Sequence, residues 1–409
     1  MRWVASLIVA ALTAGCVPGP SIGVASPSPS AAVVASPIAP SSPTASATPS
    51  AGPLNVPIAV GAIPRSFHYF SVGQGESYRI LLFDEDRTVP PVVVLTSGRP
   101  PVAPGPDVAS EAFSVSADGR VLVLMRRLSE QQTSYFVLRP EIGEIRTLLS
   151  GAGLGPPVIS PDGQRVAFAR TSDDPAVNGL WLFAITPGVP GTPSPSRLVS
   201  DMPQRVGSPP QPLAWSDDGS WLAVAPNLGE GGIEVGVVDP TAGETRFNAT
   251  TNAFEGGRAR VLGPGYAVDW RAGEHALLIT STRSLFGGRT YVYTADVSGA
   301  PTRTLYAPTG DVVLGPAMWH PSLDRYAITE RPVAGAPGTP MAVWVRRLDG
   351  TATKLAESPF LSPPWWSRDG TKLFSITGGD DSTGGISNLL GTGGGTTFCL
   401  RGGTPPRCT

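Results

Sequence analysis

Ser160-Pro161-Asp162-Gly163-Gln164-Arg165-Val166-Ala167-Phe168 reads as a tight turn that launches a strand, and the chain repeats it. Trp366-Ser367-Arg368-Asp369-Gly370-Thr371-Lys372-Leu373-Phe374 is a second full copy. Trp215-Ser216-Asp217-Asp218-Gly219 and Val115-Ser116-Ala117-Asp118-Gly119 are two more. Worn copies stand between them at Trp270-Arg271-Ala272-Gly273 and Trp319-His320-Pro321-Ser322. The residues that open the copies, at 115, 159, 215, 270, 319 and 366, are 44, 56, 55, 49 and 47 residues apart. A period of about 50 residues in a strand-rich chain is that of a β-propeller, whose small sheets bury one another's faces around an axis.

The turn has a physical reason. Asp118, Asp162, Asp218 and Asp369 can each accept a nearby backbone N–H. Gly119, Gly163, Gly219 and Gly370 supply the positive φ that closes a bulged hairpin. The fourth of the six copies moves its glycine by one place, to Gly273, and the fifth has Leu323 instead. Those two turns are expected to be looser or of another type.

Short apolar runs bounded by Gly, Pro and Asp surround each turn and read as strands. In the copy at Trp215 they are Pro212–Ser216, Trp221–Val224 and Ile233–Val238, with Thr245-Arg246-Phe247 as a candidate fourth. Three or four antiparallel strands per repeat make one blade. Upstream, His68–Val72, Tyr78–Phe83 and Val92–Leu95 form a further strand set without an Asp-Gly turn. It is either a seventh blade or the completion of the blade begun at Trp366. The fold class expected is all-β, a propeller of six or seven blades, with seven favoured.

Trp215, Trp270, Trp319 and Trp366 recur at one phase of the repeat. They could form a stacking ring for flat ligands. Packing between blades is preferred, because one large apolar side chain per blade is what sheet stacking needs.

These copies resemble the TolB-like and WD40-like (PD40) propeller repeats, over roughly residues 60 to 400. The resemblance implies the fold and says little of function. TolB works with a lipoprotein partner in the cell envelope and carries an N-terminal α/β domain. This chain has a proline-rich segment in that place, so TolB's role is not carried over.

Met1-Arg2-Trp3 precedes an apolar stretch, Val4 to Leu12, that is too short to span a bilayer. Leu12-Thr13-Ala14-Gly15-Cys16 follows and resembles the lipobox of bacterial lipoproteins, although Thr13 holds the place usually taken by Leu. The resemblance implies cleavage before Cys16 and a diacylglycerol on its sulfur, an anchor of two acyl chains. An ordinary secretory signal is the alternative, and either reading exports the body. Residues 17–54 are nearly all Pro, Ser, Ala, Thr, Val and Gly, with no charge and little to bury. They are expected to form a disordered tether of local polyproline II character. The expected organisation is a signal peptide at 1–15, a lipidated cysteine and tether at 16–54, and the propeller at 55–409.

With Cys16 lipidated, Cys399 and Cys408 remain of the three cysteines, and an even pair in an exported protein reads as a disulfide. The net charge is −2, and Lys354 and Lys372 are the only lysines, so there is no basic footprint for nucleic acid. The histidines, His68, His275 and His320, fall in no zinc-ligand spacing. No metal or cofactor is expected. Asp84-Glu85-Asp86 and Asp380-Asp381 read as solvated loops. Gly19-Pro20-Ser21-Ile22-Gly23 matches a nucleophile-elbow spelling but lacks the flanking strand and helix that the motif needs.

Two functions remain. One is a non-catalytic, surface-tethered binding or scaffold module for a protein, peptide or glycan, which would engage a loop face or the central channel. The other is a propeller hydrolase or lyase acting on an extracellular glycan, which needs convergent carboxylates in one pocket. A gating role for a peptidase would need a following α/β-hydrolase domain, and none follows Thr409 in this sequence. A monomer is expected.

Overall fold

Short apolar runs cut by Gly and Pro leave room for strands and turns only. The computed structural model describes residues 57–400 apart from 75–76, 87–90, 99–110, 130, 186–194, 201–208, 227–232, 249–250, 252, 282–289, 300–302, 334–338, 359–360, 379–385 and 394–395. Among the described residues there is no helix, and the strands fall into seven small sheets. Six of them carry a copy of the repeat; the first does not.

Sheet one holds β1 (Phe67–Gln74), β2 (Ser77–Asp84) and β3 (Val92–Gly98). Sheet two holds β4 (Glu111–Val115), β5 (Leu122–Ser129), β6 (Gln132–Arg139) and β7 (Glu144–Gly151). Sheet three begins with β8 (Val158–Ile159), β9 (Arg165–Arg170), β10 (Gly179–Ala184) and β11 (Ser196–Ser200). Sheet four begins with β12 (Gln211–Trp215), β13 (Leu222–Ala225) and β14 (Glu234–Val238).

The chain then crosses back. β15 (Thr245–Asn248) pairs in parallel with β11, and β16 (Ala253–Glu255) pairs with β15, so both belong to sheet three. β17 (Ala259–Pro264) returns to complete sheet four against β14. The expectation that Thr245-Arg246-Phe247 is the fourth strand of its own unit is therefore corrected. The outer edge of β11 is open to pairing, and Phe247 is buried between sheets three and four, 4.9 Å from the Phe254 ring. Capping the edge and burying an aromatic ring favour the excursion.

Sheet five holds β18 (Ala267–Trp270), β19 (Ala276–Thr280), β20 (Val292–Asp296) and β21 (Arg303–Tyr306). Sheet six has a broken inner strand: β22 (Val312–Leu314) and β23 (Met318–Trp319) both pair with β24 (Arg325–Pro332), which β25 (Met341–Arg347) and β26 (Ala352–Ser358) follow. Sheet seven holds β27 (Trp365–Trp366), β28 (Lys372–Gly378), β29 (Ile386–Gly393) and β30 (Thr396–Leu400).

The opening strands β4, β8, β12, β18, β23 and β27 lie side by side in ring order. Side chains bridge them: the Ile159 amide donates to Ser114 Oγ at 3.0 Å, and the Trp319 amide to Asp269 Oδ2 at 2.6 Å. Apolar clusters fill the spaces between successive sheets, from Leu82 against Leu122 between the first two to Val343 against Trp366 between the last two.

The ring closes between sheets seven and one. His68 stacks on Trp365 at 3.9 Å, and Phe83 meets Phe374 edge-on at 5.3 Å. The upstream strands thus form a sheet of their own, and sheet seven has its own four strands. Glu85, read as part of a solvated loop, is buried in this closure: it accepts from Trp365 Nε1 at 2.9 Å and from Ser66 Oγ at 2.6 Å. Closing the ring puts an indole donor over it, a contact that local sequence does not reveal.

Candidate functional site

The repeat turns use their polar groups on themselves. Ser116 donates to Asp118 Oδ1 at 2.7 Å, Ser216 to Asp218 Oδ1 at 2.6 Å, and Ser367 to Asp369 Oδ1 at 2.7 Å. Ser160 makes the same bond to Asp162. Each aspartate also accepts a backbone amide two residues on, as from Gln164 and Thr371. Burial would raise the Asp218 carboxyl, but hydrogen bonds from Ser216, His275 and Ser220 outweigh it and hold the group well below the usual carboxylate range. The Ser367 hydroxyl acts first in lowering Asp369 likewise.

The turn glycines sit against the preceding sheet. Gly119 O accepts from Tyr69 Oη at 3.0 Å, Gly219 O from Arg165 Nη2 at 2.9 Å, and Gly370 O from His320 Nε2 at 2.9 Å. All four repeat glycines have φ between 68° and 74°. A Cβ at Gly370 would lie 2.6 Å from His320 Nε2, and one at Gly219 2.8 Å from Arg165 Nη2. These residues act as blade-to-blade latches as well as turns.

The tryptophans occupy the same seams. Trp215 packs with Val158 and Leu180, Trp270 with Ala214 and Val235, Trp319 with Leu278 and Val292, and Trp366 with Met318 and Val343. Trp215 Nε1 donates to Val158 O at 3.1 Å, and Trp270 Nε1 to Ala214 O at 3.2 Å. Burying an indole of about 200 Å² at roughly 25 cal/mol/Å² stabilises a seam by at most ~5 kcal/mol.

The worn copies differ in detail. In the fourth, the Glu274 amide donates to Arg271 O and the positive φ falls one residue earlier, at Gly273, as in a type II turn. The fifth is not looser. Leu323 adopts φ 60°, its amide donates to His320 O at 2.8 Å, and the turn keeps the pattern of the intact copies. Packing of Leu323 against the cluster between sheets five and six holds this left-handed leucine in place.

Ser220, His275 and Asp218 meet between sheets four and five and superficially resemble a catalytic triad. Their geometry is different. Asp218 Oδ2 and Ser220 Oγ both approach His275 Nε2, at 2.9 and 3.1 Å, and the hydroxyl donates to Asp218 itself at 2.8 Å. A triad needs the nucleophile on one ring nitrogen and the carboxylate on the other. This cluster is a turn cap.

Among the described residues, a groove of about 150 Å³ lies between sheets five and six. Arg271 and Arg303 line it, with Asp296, Trp319, Leu305 and Leu348. The Arg271 guanidinium stands 5.8 Å from the Trp319 ring centroid, and its Nη1 pairs with Glu274 at 3.1 Å. The Arg271 Nε is buried without a hydrogen-bond partner among the described residues. The Ser298 hydroxyl, and after it the Ser298 amide, which donates to Asp296 at 2.6 Å, keep the carboxyl below its usual range. Sequence reasoning did not single out this groove. The available signal was Arg271 itself, which stands where the intact copies have the turn serine.

A buried pair also escaped that reading. Glu111 and Arg126 lie 3.5 Å apart between sheets one and two, and burial pushes the Glu111 carboxyl up to about 8 against the pull of Arg126. Cys16, the tether 16–54, Asp380-Asp381 and Cys408 lie outside the described residues. Cys399 lies in β30, in register with Leu390. Among the described residues, no group of three or more His, Cys, Asp or Glu is placed to hold a metal ion, and no helix is long and apolar enough to cross a membrane.

No protein-family profile matches this chain, and no curated sequence does. Solved structures do. A prolyl endopeptidase matches at TM-score 0.52 and 13% identity over 82% of this chain and 50% of its own, so the chain spans half the length of that relative. TolB from Acinetobacter baumannii matches at TM-score 0.42 and 14% identity over 83% of this chain and 79% of its own. An oligogalacturonate lyase in complex with manganese matches at TM-score 0.47 and 11% identity over 83% and 85%. At 13% identity the match to the prolyl endopeptidase speaks for the fold alone.

Proposed function

We propose that the chain is an exported lipoprotein whose propeller is a non-catalytic binding or scaffold module. One observation carries this reading: the turn hydroxyls, carboxylates and glycine carbonyls of the intact repeats are engaged within turns and blade seams. They build a stiff ring, and a groove lined by Arg271, Arg303 and Asp296 lies between two of its sheets. A rigid frame with a small charged and apolar cleft suits recognition, since little order is lost on binding. The lipobox-like residues ending at Cys16 support the anchor, and the proline-rich tether supports a body held clear of a membrane.

The test is capture from envelope extract by the full chain, run beside a glycan array and an assay for polysaccharide cleavage. A saturable protein or peptide partner is the expected result. Reproducible turnover of a polysaccharide would replace this reading with the enzymatic one. Mass spectrometry of the mature chain should find a diacylglyceryl group on Cys16; an unmodified Cys16 removes the anchor.

A further inference from the structure

The groove between sheets five and six has the size and chemistry of a site for one residue. Its volume is about 150 Å³. A cavity of about that size can take up a benzene ring, so it suits a single side chain rather than an oligomer. Leu305, Leu348 and Trp319 supply apolar lining. Two arginines, Arg271 and Arg303, are among its lining residues. Arg271 already has Glu274 on Nη1 and carries a buried Nε–H that no described group accepts. Arg303 is exposed. Guanidinium forks favour carboxylates, with paired hydrogen bonds. Asp296 is held charged by the Ser298 hydroxyl and amide and brings a carboxylate, an acceptor for N–H donors, to the lining.

We infer that this groove binds the C-terminal residue of a peptide: its carboxylate on Arg271 and Arg303, its amide N–H toward Asp296, and its aliphatic side chain on Leu305, Leu348 and the Trp319 edge. The lining favours a peptide over a sugar acid. A pyranose ring presents several hydroxyls that need partners, whereas the hydroxyl in this lining is that of Thr294, which donates to Arg303 O. The inference rests on the binding-module reading and names its ligand class.

Titration calorimetry on the full-length chain in detergent micelles tests it, with N-acetyl-alanyl-leucine as the free acid, the same peptide as its C-terminal amide, and glucuronate. The free acid should bind saturably with a Kd of about 1 mM or tighter, and the amide about tenfold more weakly. Arg303→Gln, a change at an exposed position, should weaken the acid by about tenfold at unchanged melting temperature. Arg271→Gln should do the same, with circular dichroism reporting whether the seam survives. The inference fails if the acid shows no saturable binding up to about 10 mM. It fails equally if acid and amide bind alike, if Arg303→Gln changes nothing, or if glucuronate binds in preference. The two readings separate in a pull-down. A partner captured equally by wild type and Arg303→Gln, with a silent titration, rejects the groove alone; a wild-type chain that captures nothing rejects the reading beneath it.

Discussion

Trp365 donates its indole N–H to the buried carboxylate of Glu85 at 2.9 Å, across 280 residues of chain. The same carboxylate accepts from Ser66, and Glu85 O accepts from Lys372 Nζ at 2.9 Å. The first and last sheets are thus joined by side chains. Glu85→Ala strands the Trp365 and Ser66 donors and should cost about 2–4 kcal/mol, read as a lowered midpoint in urea. Glu85→Gln keeps an acceptor and should cost roughly half as much. Equal, negligible effects would mean that the closure does not depend on this carboxylate.

Gly370 and Gly273 share φ 73° but not their surroundings. A Cβ at Gly273 meets nothing within 4 Å, whereas at Gly370 it would strike the His320 ring. Gly273→Ala should therefore cost only the left-handed backbone penalty of about 1 kcal/mol. Gly370→Ala adds overpacking and should cost about 2–4 kcal/mol. Equal losses for the two variants would refute the latch.

Leu323 at φ 60° calls for a residue that tolerates the left-handed region. Leu323→Asn should hold stability within about 1 kcal/mol, strain relief offsetting lost packing, while Leu323→Val should lose about 1–2 kcal/mol. Thermal unfolding of the two variants decides it, and a valine variant as stable as the asparagine one would contradict the assigned turn.

Burial raises the Glu111 carboxyl from its ordinary 4.5 to about 8 in the folded chain. The folded state then holds a proton that the unfolded state has released between those values, so this group's stabilisation is full below pH 4.5 and is lost as the pH rises through 8. Denaturant midpoints should fall across that window for the wild type. Glu111→Gln should flatten the fall. An identical slope in the variant would assign the effect elsewhere.

The repeat was legible because its turn is local: Ser, Asp and Gly close five bonds within six residues, and their spelling survives in four copies. The tryptophan phase and the strand runs follow from the same short-range pattern. Other features depend on residues distant in the chain. Glu85 reads as a solvated loop until Trp365 closes over it. β15 reads as a strand of its own unit until the open edge of β11 takes it. The groove exists only because Arg271 and Arg303 of sheet five face Trp319 and Leu348 of sheet six. Hydrogen bonds a few residues apart leave their mark in the order of the chain. Contacts made by bending seven sheets into a ring do not, because either partner alone is compatible with solvent, and only their meeting selects burial.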